Sequence, residues 1–193
     1  MTTKKKIIIK ESTCSEKGKE KLTCVTCGHE SERSIAKLPH TEGEWITTRE
    51  ATWYENGLME LHCAACNDVI DSKYIELSDE EKESLYKKQC EKYSYKTIAR
   101  NPDKYMFEYG YVYGEVVQVI EDGNDYTLRI AMNGDYSSMI LVTYERPASQ
   151  DRILEDDMVK LYGMWMGTCT YESTSGKSIT IPYFMCEYLD IQY

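Results

Sequence analysis

The chain repeats itself, and the repeat limits what its first third can become. At an offset of 39 residues, the segment from Glu11, ESTCSEKGKEKLTCVTCGHESERSIAKL, lies without insertion over the segment from Glu50, EATWYENGLMELHCAACNDVIDSKYIEL. Thr13 falls on Thr52, Glu16 on Glu55, Gly18 on Gly57, Leu22 on Leu61 and Leu38 on Leu77. Cys24 and Cys27 fall on Cys63 and Cys66. A fixed period of this size marks a duplicated supersecondary unit that cannot bury its apolar face alone. Each copy reads as a hairpin: a turn at the glycine, a short strand, a Cys-x-x-Cys knuckle and a return strand.

Two such knuckles call for a metal. A two-residue spacer lets one tight turn present both sulfurs at a corner, and zinc takes four such ligands tetrahedrally. The expected ligand set is therefore Cys24, Cys27, Cys63 and Cys66, holding a structural Zn2+ that supplies folding free energy the small hairpins lack. A rival set lies within the first copy, where Cys14 and His40 flank the knuckle to give Cys14, Cys24, Cys27 and His40. Their equivalents in the second copy are Trp53 and Asp79, so both auxiliary ligands are missing there together. The four paired cysteines are preferred, because the rival leaves Cys63 and Cys66 without a task. His29 and His62 adjoin the knuckles as supporting groups.

Beyond the repeat the pattern changes twice. LSDEEKESLYKKQCEKYSYKTIARN reads as helix, opened by Ser78 as N-cap with Glu81 three residues on, and stopped by Pro102. From Tyr111 the period becomes two, with turns at Asp122-Gly123-Asn124, Asn133-Gly134 and Ser175-Gly176. Five or six strands without a long intervening helix predict a small closed β-barrel or a sandwich. The chain is thus expected to be mostly β: zinc-ribbon-like hairpin repeats over 11–77, a helical connector over 78–101, and a five- to six-stranded barrel over 102–193.

Charge and composition narrow the function. The net charge is −10, divided as −3 over residues 1–92 and −7 over residues 93–193. That field weakens attraction for phosphate and favours a basic protein partner. No apolar run approaches the roughly 20 residues of a membrane span, and Ile7-Ile8-Ile9 is too short for a secretory core, so a cytoplasmic protein is expected. Eight cysteines in such a chain point to metal and buried thiols rather than disulfides. A zinc closed by four cysteines has no position for a substrate water, and there is no phosphate loop or nucleophile elbow. All three histidines lie in the first half. An enzyme is not expected, and no catalytic residue is assigned.

The stretch from Glu11 to Leu77 resembles the short zinc-binding repeats of Firmicutes surface and phage-borne proteins, through Thr13-Cys14, Gly18, Cys24, Cys27-Gly28, His40 and Glu44-Trp45. The second copy departs from that motif at Trp53, Asn67 and Asp79. The stretch from Tyr95 to Ile191 resembles OB-fold domains of the tRNA-anticodon-like type, and small zinc-ribbon-plus-OB proteins of Firmicutes and their phages, sometimes called toxin regulators. The resemblance rests on YKTIARNPDKY, GEVVQVIEDG, RILEDDMVKLYG and TYESTSGKSITIP.

That resemblance implies an OB-like barrel used for binding. Aromatic and basic strand residues are the candidates for its surface: Tyr111, Tyr113, Tyr126, Arg129, Tyr144, Tyr162, Trp165 and Tyr171. Two readings follow. The acidic, Tyr-rich barrel engages a basic protein partner, in one version as a phage-type inhibitor occupying the nucleic-acid channel of a host protein. Alternatively, the barrel binds single-stranded nucleic acid.

Overall fold

A computed structural model of the chain describes residues 4–172 and 176–192. It divides into two compact units, the first ending at Ser78 and the second beginning at Asp79. Among the described residues no helix is long and apolar enough to cross a membrane.

The first unit contains the duplication as two three-stranded antiparallel sheets. Strands β1 (Lys4–Lys10), β2 (Gly18–Cys24) and β3 (Glu30–Ile35) form one meander. Strands β4 (Glu42–Arg49), β5 (Gly57–Cys63) and β6 (Val69–Ile75) form the other. Each copy therefore has one strand more than the expected hairpin, because the chain ahead of the Thr13 and Thr52 turns also pairs. Gly18 and Gly57 open strands rather than forming the turns. A Cβ at Gly57 would meet the Ala51 nitrogen at 2.7 Å, and one at Gly18 the Lys10 oxygen at the same distance.

Burial in this unit is sparse. Among its described residues the buried apolar ones are Cys14, Leu61 and Cys63, and the one buried charged residue, Glu20, is held by Lys6 at 2.6 Å and Arg33 at 2.5 Å. So little apolar area leaves folding dependent on another source of free energy.

The second unit opens with α1 (Asp79–Gln89), whose first turn is acidic and last turn basic, as the helix dipole favours. The expected single helical stretch is broken. Glu91–Lys92 forms a short strand, β7, parallel to the start of β8, and Ser94 then caps α2 (Tyr95–Arg100) by accepting from the Thr97 amide. These elements pack on the barrel, and Ile98 of α2 is fully buried in its core.

Five strands close the barrel: β8 (Tyr109–Asp122), β9 (Asp125–Met132), β10 (Met139–Glu145), β11 (Met158–Glu172) and β12 (Ser178–Gln192). Their order is β8-β9-β10-β12-β11, with β11 returning to pair with β8. Only the β10–β12 pairing among these is parallel. A closed five-stranded barrel with this connectivity is the OB-fold. The turns at Gly123 and Asn133-Gly134 stand where the sequence places them, with positive φ. Ser175 lies outside the described residues. Strand β11 runs through Gly167 and is bulged between Trp165 and Thr168.

Alternation fills the interior. Tyr126, Leu128 and Ile130 of β9 point inward, as do Ile140, Val142 and Tyr144 of β10. Trp165 meets Phe184 edge-on at 4.8 Å between ring centres. Gly110 makes room for that indole, since a Cβ there would lie 2.5 Å from its Nε1.

Candidate metal centre and barrel cleft

Both knuckles have the same backbone. The Cys24 amide donates to the His29 oxygen at 2.8 Å, and the Gly28 amide to the Cys24 oxygen at 2.9 Å. The Cys63 amide donates to the Asp68 oxygen at 2.8 Å, and the Asn67 amide to the Cys63 oxygen at 2.9 Å. The residue after the second cysteine of each turn has positive φ, 72° at Gly28 and 64° at Asn67, a conformation glycine and asparagine tolerate best.

The ligand grouping differs from both sequence expectations. Cys14, His40, Cys63 and Cys66 converge, their donor atoms all within 4.8 Å of one another, and Cys24 and Cys27 are not members of that group. The cause is strand pairing. His40 precedes β4, which pairs with β5 so that Glu42 faces Cys63 and the Ala64 amide donates to the Thr41 oxygen at 2.9 Å. Gly43 sits in a bulge of β4, where a Cβ would come 2.6 Å from the His62 oxygen. Cys14 comes from the first copy, on a turn built by Thr13, whose amide donates to the Glu16 oxygen and whose hydroxyl accepts from the Glu16 amide, both at 2.9 Å. The second copy has the same turn at Thr52 and Glu55, with Trp53 in place of the cysteine.

These distances fit a tetrahedral ion. Zn–S bonds of ~2.3 Å and Zn–N bonds of ~2.0–2.1 Å place ligand atoms about 3.8 Å (S to S) and about 3.6 Å (S to N) apart. The Cys14 and Cys63 sulfurs are 3.8 Å apart, and the Cys66 sulfur is 3.4 Å from His40 Nδ1. The thiols do not behave alike. Backbone donation from Ala65, with His40, Cys66 and Thr41 contributing, draws the Cys63 thiol well below its ordinary range against the effect of burial. Cys66 feels an opposing pull from Asp68, but burial and the sulfurs of Cys14 and Cys63 drive it upward. One thiolate forms readily and the crowding resists a second, which is the charge imbalance a divalent cation would relieve. His62 braces the knuckle through Nδ1, 2.9 Å from the Asn67 oxygen.

On the barrel, strand parity sorts the candidate binding residues. Tyr126, Tyr144 and Trp165 are buried in the core, and Tyr162 is buried with Lys87 and Lys160 over its ring, so none of the four offers a free face to a bound strand. The Tyr126 hydroxyl donates to Glu121 at 2.8 Å and the Tyr144 hydroxyl to Gln150 at 2.5 Å. Tyr113 is exposed on β8. Tyr111 and Tyr162 flank Lys160, whose ammonium lies about 5 Å from each ring centre, within cation–π range.

Arg129 and Tyr171 come together in a separate place. The outward row Gln118, Arg129, Leu141 and Tyr183 crosses β8, β9, β10 and β12 in register. Beside it, past the Gly167 bulge, the β11–β12 hairpin brings Tyr171 and Ile179 to line the same cleft of about 470 Å³. The Arg129 guanidinium lies 5.4 Å over the Tyr171 ring. Arg129 Nε and the Tyr171 hydroxyl are both buried without a hydrogen-bond partner. Leu141 and Thr143 were not singled out in the sequence, although their parity opposite Ile140 and Val142 was readable there.

No protein-family model matches the chain, and no curated protein matches it in sequence. Among solved structures, it is similar to the p202 HIN1 domain in complex with 12-mer double-stranded DNA, at TM-score 0.33 and 7% identity over 99% of this chain and 93% of that one. It is also similar to the Ifi202 HINa domain in complex with 20-bp double-stranded DNA, at TM-score 0.32 and 8% identity over 100% and 97%. The p204 HINb domain aligns at TM-score 0.32 and 10% identity, covering 99% and 97%. At these values the likeness assigns no role to any residue of this chain.

Proposed function

We propose that the second unit is an OB-type nucleic-acid-binding module that lays a single strand across the outer face of β9 and β10, and that the first unit is a zinc-held scaffold without enzymatic activity. The observation that carries this reading is the Arg129–Tyr171 pair. A guanidinium and a phenol, each with an unpaired buried polar atom, share a cleft on the face OB barrels use for oligonucleotides. Arg129 supplies a phosphate contact and Tyr171 a platform for a base, with Thr127, Leu141 and Ile179 also lining the cleft.

The acidity of the chain sets the strength. With one arginine in the cleft and Glu172 at its rim, affinity is expected in the micromolar range, falling as salt rises with a logarithmic slope of about 0.7 per phosphate contacted. Fluorescence anisotropy with single-stranded DNA and RNA at two salt concentrations tests this. Absence of binding at low salt removes the proposal.

A second reading is favoured by the charge of −7 over residues 93–193. A basic protein would then occupy the barrel surface, in the manner of a phage-type inhibitor that imitates nucleic acid. Capture of a basic protein by the wild type but not by an Arg129→Glu variant, with no oligonucleotide binding, would select it. At Cys14, His40, Cys63 and Cys66 the proposed ion is zinc. Its four positions are filled by protein, so it would order the unit and leave no site for a reacting water.

A further inference from the structure

We propose that Cys24 and Cys27 are half of a second zinc site, completed by the same two cysteines of a second copy of this chain. The first knuckle reproduces the hydrogen bonds and the positive φ of the ligand-bearing Cys63–Cys66 knuckle. It is therefore shaped to present two sulfurs to one ion. At the position equivalent to His40 the first copy has Met1, which offers no such ligand.

Among the described residues no third donor, His29 included, groups with Cys24 and Cys27. Cys14, His40, Cys63 and Cys66 form the group already described, and His62 is engaged by Asn67 and lies 3.6 Å from Glu60. Cys27 is exposed and Cys24 half-buried, so the pair faces outward. Two knuckles related by a twofold axis supply four thiolates in the tetrahedral arrangement zinc takes.

The surroundings fit a copy of this chain. Val25, between the two cysteines, is exposed. Strand β1 is the edge of its sheet, and its Ile7, Ile8 and Ile9 are exposed too. An exposed apolar edge strand is a surface that proteins cover. In the β1–β2 register Lys4 faces Cys24 and Lys5 faces Thr23, so positive charge lies beside a centre that four thiolates leave at −2.

The test is metal content and native mass of the full chain. Wild type is expected to be a dimer carrying three zinc ions, and Cys24→Ser/Cys27→Ser a monomer carrying one per chain. Cobalt(II) in place of zinc gives an independent reading. Its thiolate charge-transfer band should weaken in Cys27→His, which keeps a donor at that place, while the dimer persists. A wild type that is a monomer with one zinc overturns the proposal, as does a monomer with two. An unchanged cobalt spectrum in Cys27→His overturns it as well.

Discussion

The two copies of the repeat share a backbone and differ in what holds them. In the first, Lys6 and Arg33 converge on the buried Glu20. In the second, the matching positions are Trp45 and Met59, and a bulge between Leu61 and His62 slips β6 by one residue so that Lys73 faces Met59 as Arg33 faces Glu20. Lys73 then lies 4.3 Å over the Trp45 ring. The first copy thus centres on an ion triad and the second on an apolar patch with a cation above it. The second copy also holds three of the four converging donors, and the first only one. Duplication has kept the knuckle and the Thr-Glu turn while dividing the remaining work between the copies.

Several changes would break or sharpen that division. The largest effect is expected from Cys63→Ser, which should abolish the zinc held with Cys14 and His40 and unfold the first unit. Hydrogen exchange should then show protection lost in β4–β6 and retained in β8–β12, and chelation of the wild type should do the same. Next comes the core. Leu61→Ala should cost about 2–5 kcal/mol in a denaturant titration, because Leu61 is buried whereas its counterpart Leu22 is only half-buried. Leu22→Ala should cost clearly less.

Gly43→Ala is expected to cost about 1–3 kcal/mol by crowding the His62 oxygen, with zinc affinity weakened in a competition titration. Lys4→Ala, at the equivalent place in the first copy, should carry no such folding cost. In the barrel, Tyr171→Ala should weaken oligonucleotide binding by about 1–3 kcal/mol without lowering the melting midpoint, a separation that a core residue such as Trp165 would not show. The smallest effect is expected from Glu20→Met, which copies the second repeat's choice. It frees two lysine and arginine groups that are already largely solvated, so the unfolding midpoint should stay nearly constant.

Much of the barrel was legible, because period-two strands and glycine turns are local signals. The duplication and its knuckles were equally plain. The ligand grouping was not, for a reason of framing. Comparing the copies from Glu11 and Glu50 leaves β1 and β4 outside the unit, and His40 then looks like a flank of the first knuckle. Started one strand earlier, the same period assigns His40 to the second copy, beside Cys63 and Cys66. The lysine-rich Lys4–Lys10 gives no alternation to reveal that strand. Parity separates some of the candidates: Tyr126 shares the inward side of Leu128 and Ile130, whereas Arg129 does not. In β11 the register shifts near Gly163 and Gly167, so no simple parity carries from Tyr162 to Tyr171.

The closure of the barrel has a consequence in time. Strand β8 meets β11, which closes the barrel, only about fifty residues further along the chain, and β10 finds its second neighbour only in β12. The sheets of the first unit are built from neighbouring strands, and such local pairings form fast. During synthesis the duplicated unit can therefore bring Cys14, His40, Cys63 and Cys66 together while β8, β9 and β10 are still an open sheet. Those strands stay exposed to mispairing until β11 and β12 emerge.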